Sequence, residues 1–134
     1  LTESIINPGA ILLATIIGIG IHLLWYSPAL FGNRWQKLAH VSDAEHAMNA
    51  AKVLTLGATT LATTIVLAYL ITFTGAQTIL EGGLVGCFLW FGFVMTLAAQ
   101  EIAFARVSFA YYAITASYHL VNLVVAGMIL SVFR

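Results

Sequence analysis

The sequence predicts an all-α integral membrane protein, with four transmembrane helices in one bundle and a short interfacial helix between the first and second. Composition is the first reason: of 134 residues, 61% are hydrophobic and 7% charged, whereas soluble domains carry about 25% charged residues. Charge spacing is the second. The five basic and five acidic residues leave uncharged intervals at 4–33, 53–80, 82–100 and 107–133, each about nineteen residues or longer and so able to cross roughly 30 Å of hydrocarbon as a helix. The third is how the first interval closes, on Trp25, Tyr26, Ser27, Pro28, Phe31, Gly32 and Trp35, an aromatic-rich stretch of the kind found at a membrane boundary. A bilayer offers no water to backbone amides, so each segment must satisfy its own hydrogen bonds, which a helix does.

The first helix is expected over about 8–30. Pro28 removes a donor and biases Ser27 away from α geometry, a physical reason to end or kink there. Over 31–40, Phe31, Trp35 and Leu38 recur at i, i+4 and i+7 while Arg34 and Lys37 point elsewhere, the pattern of a short helix in the headgroup layer. Ser42 and Glu45 fit a capping box, which starts the second helix near Asp43 and carries it to about 74. Gly75 suits its C-terminal cap. Thr78 and Glu81 form a second capping box opening a third helix over about 79–105, so Glu81 reads as a capping carboxylate. Arg106 ends that helix, and Ser108 caps a fourth over about 109–133. One domain, 1–134, holds them all.

Zero formal net charge without a basic tract gives nucleic-acid binding no electrostatic basis. The lone Cys87 cannot build a disulfide framework within the chain, and reads as a small packed side chain. The first segment is too long for a signal-peptide core and is read as structure. Arg34, Lys37 and Lys52 in the first connection and Arg106 in the third, against Arg134 opposite, place those connections in the cytoplasm and both termini outside. The expected location is a bacterial inner membrane, crossed several times.

Small residues mark packing faces: Gly82 and Gly86 make a G-x-x-x-G pair, and Gly18 lies one turn from His22. The sharper pattern is polar. Thr15, Gly18, His22 and Tyr26 share one stripe of the first helix, and Tyr112, Thr115, His119, Asn122 and Ala126 one stripe of the fourth. His22 and His119 each lie about two turns in from the cytoplasmic ends, roughly 12 Å. Glu101 enters from the same side, about a turn above Arg106. The candidate intramembrane cluster is therefore His22, Glu101, His119 and Asn122. It reads first as interhelical hydrogen bonding by neutral imidazoles, with Glu101 pairing with Arg106. Its second reading is a proton or solute path, since a midplane carboxylate costs about 2.5–3.5 kcal/mol on insertion scales and such groups often mark one. Its third is axial ligation of haem or a chlorophyll-type pigment by His22 or His119. His40 and His46 flank Asp43 and Glu45, but mixed polar residues are ordinary at such a helix start, and no metal site is assigned. No H-E-x-x-H, paired C-x-x-C, P-loop, G-x-S-x-G or Rossmann fingerprint occurs, which points away from an enzyme.

Three runs carry a resemblance: Trp25-Tyr26-Ser27-Pro28-Ala29-Leu30-Phe31-Gly32 with Trp35, Leu89-Trp90-Phe91-Gly92-Phe93-Val94, and Ala116-Ser117-Tyr118-His119-Leu120-Val121. On them the chain resembles the bacterial membrane-protein family catalogued as domain of unknown function number 1761. The resemblance spans nearly the whole chain and implies a small four-helix membrane protein, without implying an activity. The sequence thus leads to a non-enzymatic accessory or assembly subunit, packing in the bilayer against itself or a larger inner-membrane complex. A small transporter or channel with a path through Glu101, His119 and Asn122 is the alternative, and a haem- or pigment-binding subunit the third.

Overall fold

The computed structural model describes residues 6–105 and 107–133. The expected roles of Arg106 and Arg134 lie outside the described residues. Among the described residues all regular structure is helical, and four helical segments, Pro8–Trp25, Ala50–Thr74, Ile79–Ala105 and Phe109–Val132, are long and apolar enough to cross a membrane.

Helix α1 (Pro8–Trp25) starts where the Asn7 side chain accepts from the Gly9 and Ala10 amides and Pro8 occupies the first turn, where no donor is required. It stops at Trp25, short of the expected 30. The next residues fold into a compact hydrogen-bonded turn instead: Phe31 N–H donates to the Trp25 carbonyl, and Leu30 and Gly32 N–H both donate to the Ser27 carbonyl, all at 3.0–3.1 Å. Pro28 supplies the break. Helix α2 (Gly32–Ala39) follows and ends at His40 in the left-handed region.

The expected helix over 43–74 is two helices. The Ser42–Glu45 capping box forms as read, yet it opens only the one-turn α3 (Asp43–His46). Ala47 is extended, and Asn49 starts α4 (Ala50–Thr74) by accepting from the Lys52 amide at 2.9 Å. Asparagine is favoured at a cap over an interior because its side chain competes for nearby backbone groups. The Lys52 ammonium donates to the carbonyls of Glu45 and Ala47, acceptors that the break leaves without helical partners.

Gly75, at φ 72°, caps α4, and the Thr78–Glu81 box opens α5 (Ile79–Leu89). The third span continues through a π-helical turn (Trp90–Met95) into α6 (Thr96–Ala105). Ser108 caps α7 (Phe109–Val132) by accepting from the Ala110 amide.

Helix α7 is the hub, packing on α5 most extensively and also on α1 and α4. A Cβ at Gly82 would strike the Gly127 carbonyl and Ser131, and one at Gly86 would strike the Leu123 backbone. The α5 and α7 backbones therefore touch, as small residues allow in lipid. Around this contact sit Ala10, Ala14, Leu67, Ile71, Leu123, Ala126 and Leu130, all buried. Large side chains such as Ile16, Leu54, Phe73, Phe88 and Phe104 are exposed on the outside, the arrangement expected of a surface bathed in hydrocarbon. These features make the chain a multi-pass membrane protein.

Two tryptophans of the sequence runs clamp the hub. Trp25 Nε1 donates to the Ile114 carbonyl at 3.0 Å and Trp90 Nε1 to the Ala116 carbonyl at 2.7 Å. Trp90→Phe should lower stability by about 1 kcal/mol, the net value of one such bond, as measured by unfolding in detergent. An unchanged midpoint would show that the bond contributes nothing there.

Candidate functional site

The turn after α1, the α2–α3 segment and the first turns of α4 gather at one end of the bundle, over the N-terminal half of α7. Between them opens a cleft of about 920 Å³, within the size range of small-molecule sites. Exposed Glu45 and half-buried Lys52 mark its mouth at the α3–α4 end; His46, Trp35, Tyr26, His22, Tyr118 and His119 line it beyond; and Thr59, Thr60, Thr63 and Asn122 line it farther along α4 and α7, Thr60 and Asn122 buried and Thr59 and Thr63 exposed. From the start of α4, Thr60 is about 15 Å along the helix at 1.5 Å per residue, so the cleft reaches well into the span.

The rings form a continuous cluster. His22 lies 4.7 Å from Tyr26 and 5.0 Å from Tyr118, and Tyr118 lies 4.9 Å from His119. Tyr26 meets Trp35 edge-on at 5.5 Å, and Trp35 continues to His46 at 5.6 Å and Tyr111 at 6.2 Å. Edge-on and tilted contacts suit the ring quadrupoles. His46 Nε2 lies 3.2 Å from the Tyr26 carbonyl, and since a carbonyl only accepts, Nε2 carries the proton. Burial first, then Tyr118 and Tyr111, pushes the Tyr26 phenol above its ordinary value, so it remains a neutral donor. Among the described residues two buried nitrogens, His22 Nδ1 and Trp35 Nε1, have no hydrogen-bond partner, although buried polar atoms are usually satisfied.

The threonines of α4 are polarised in one direction. Thr55 Oγ1 donates to the Ala51 carbonyl and Thr59 Oγ1 to the Thr55 carbonyl, each at 2.7 Å. A hydroxyl has one proton, so each is left with lone pairs only. Asn122 is buried at the inner end; a Cβ on Gly18 would come within 2.6 Å of its Oδ1 and 3.0 Å of Thr60. Gly18 thus brings α1 close to α4 and α7 at the base of the cleft.

Of the four residues grouped from sequence, His22, His119 and Asn122 line this one cleft. Glu101 does not. It is exposed near the end of α6, with Tyr112 Oη 3.4 Å from its carboxylate; its expected partner Arg106 lies outside the described residues. The α7 stripe read from sequence is split: Asn122 and Ala126 are buried, Thr115 and the exposed His119 line the cleft, and Tyr112 turns toward Glu101, while Ile114 and Tyr118 complete the buried face. Tyr118 and Thr60 are thus site residues that sequence reasoning left out. The i+4 series of Ile114, Tyr118, Asn122 and Ala126 was the available signal for Tyr118.

His40 is exposed at the end of α2, apart from the ring cluster that holds His46. Among the described residues no group of three or more His, Cys, Asp and Glu side chains gathers as metal ligands. Cys87 is exposed rather than packed inside the bundle.

The family model described as "Protein of unknown function (DUF1761)" matches residues 9–131. No curated protein and no solved structure matches the chain.

Proposed function

The chain belongs to the DUF1761 family, and from its geometry we propose that it is a non-enzymatic membrane protein that binds a small solute in the cleft between α1, α4 and α7 and moves it toward or across the bilayer. The observation that carries this reading is the cleft itself, a polar and aromatic opening of about 920 Å³ that extends from a charged mouth down to Asn122. Membrane interiors disfavour such polar linings unless they serve a path or site. The proposed route uses His119 and Asn122 and leaves Glu101 aside. By the positive-inside rule, Arg34, Lys37 and Lys52 in the first connection put this end of the bundle on the cytoplasmic side of a bacterial inner membrane.

Reconstituted into liposomes and screened with small labelled solutes, the protein should give a saturable flux. His119→Ala and Asn122→Leu should reduce it about tenfold or more, and Glu101→Gln should leave it within twofold. Equal loss in Glu101→Gln would move the route away from the cleft. Absence of flux in every version would leave binding without transport.

A second reading, an accessory subunit packed against itself or a larger complex, is supported by the third span. It is the least covered of the four, with 17% of its membrane window buried against 39% for the fourth. Extraction in mild detergent distinguishes the two readings, since an accessory subunit should migrate in a particle much larger than its own 14.4 kDa.

A further inference from the structure

We propose that the solute taken by the cleft is an organic cation, an ammonium group carried on an apolar or aromatic body. This rests on the reading of the cleft as a binding site and specifies its ligand class. The first argument is the aromatic content of the lining: Tyr26, Trp35 and Tyr118, with His22, His46 and His119, all border the cleft. Aromatic faces attract cations through the ring quadrupole, most strongly where water is excluded.

The second argument is the balance of donors and acceptors. Lys52 is the one Lys or Arg among the lining residues, and its ammonium is already engaged by the Glu45 and Ala47 carbonyls. Thr55 and Thr59 have given their protons to their own helix and turn no donor inward. Donors do line the cleft, among them Trp35 Nε1, Tyr26 and Asn122, but Lys52 is already engaged and no other Lys or Arg of the lining would offset an anion's charge, whereas a cation meets lone pairs on Thr55 and Thr59 and the aromatic rings. Glu45 is the one carboxylate of the lining and Lys52 its one Lys or Arg, so their formal charges cancel and the selectivity for positive charge falls to the rings and lone pairs.

The third argument is shape. Leu23, Val41, Met48 and Leu56 share the lining with these groups, so the site suits a ligand with an apolar body as well as a charged head. Bare metal ions, which require several convergent oxygen or nitrogen ligands, do not match it.

The titratable and charged groups facing the site are His22 on α1 and Tyr26 just after it, Glu45, His46 and Lys52 around the mouth, and Tyr118 and His119 on α7. Protonated imidazoles would oppose a bound cation, so the test is run at pH 8, above the ordinary imidazole range of about 6.5. The full chain in nanodiscs of zwitterionic lipid is titrated with labelled benzyltrimethylammonium, its neutral carbon isostere neopentylbenzene and the anion benzenesulfonate, with empty nanodiscs as blank. The expected result is saturable binding of the cation, at least tenfold tighter than that of the neutral isostere, and none of the anion. Trp35→Leu and Tyr118→Leu should each weaken the cation about tenfold, while Tyr118→Phe, which keeps the ring, should bind within threefold of the parent. Equal binding of the neutral isostere would overturn the cation assignment and leave the cleft a binding site for neutral amphiphiles. Binding that persists unchanged in both leucine variants would also overturn it, since the cation would then lie elsewhere. If none of the three probes binds above the blank, the reading of the cleft as a solute site fails with it.

Discussion

Gly82→Leu should separate the third span from the fourth and lower stability by about 3 kcal/mol or more, at the upper end of overpacking penalties. Even a single Cβ at this position would enter the Gly127 carbonyl and approach Ser131 Cβ to 2.7 Å. Neither obstacle is the far end of a flexible side chain, so relief requires the two helix backbones to move apart. Movement there exposes the Leu123, Ala126 and Leu130 edge of the core and strains the Trp90 bond to Ala116. Gly127→Leu should do the same from the other helix, because its Cβ would enter the Gly82 carbonyl. By contrast, a Cβ on Gly57 meets nothing within 4 Å, so Gly57→Ala should be neutral or stabilise by up to about 1 kcal/mol through helix propensity alone. Urea unfolding in mixed micelles would rank the three. Similar midpoints for Gly82→Leu and Gly57→Ala would mean that the α5–α7 backbone contact does not hold the spans together.

Four apolar spans were legible because charge is so sparse that its positions alone bracket them; no packing information was needed. The caps were legible for a similar reason, being local: Ser42 with Glu45 and Thr78 with Glu81 each lie within four residues, and both boxes form. Two helix boundaries were not. Ser42 does cap a helix, but sequence did not show that Asn49 caps another seven residues later, because either residue is a competent start and only the tertiary position of α4 decides between them. The site was half legible. His22, His119 and Asn122, grouped by depth, do line one cleft, since depth follows from counting along each helix. Rotation about the helix axis does not follow from counting, and hydrophobic contrast gives little help where the outside of a helix is as apolar as its inside. That is why Glu101 was drawn into the cluster and Tyr118 left out of it. Gly127 went unread for a related reason, since a small residue reports close approach only when its partner across the interface is known.

Gly32→Ala should be the most damaging small change near the cleft, costing about 2–3 kcal/mol of stability and abolishing the cation binding proposed for the cleft. An alanine Cβ here would lie 2.7 Å from the Ser27 carbonyl carbon and oxygen and still closer to the Tyr26 carbonyl. Those carbonyls are fixed: Ser27 O holds the Leu30 and Gly32 amides, and Tyr26 O lies within reach of His46 Nε2. The turn must open, and α2, which begins at Gly32, would swing with it. Trp35 would then lose its contacts with Tyr26 and His46, breaking the ring cluster on the mouth side. The glycine of the Trp25–Gly32 run is therefore a matter of backbone approach, and the aromatic residues around it depend on that approach to reach the site. Ala29→Ser, at an exposed position of the same turn, should stay within about 0.5 kcal/mol of the parent and keep its ligand affinity. Near-ultraviolet circular dichroism together with the benzyltrimethylammonium titration reads both effects. A Gly32→Ala protein with native aromatic signal and undiminished affinity would show that the turn tolerates the Cβ and that Trp35 is held in place by other contacts.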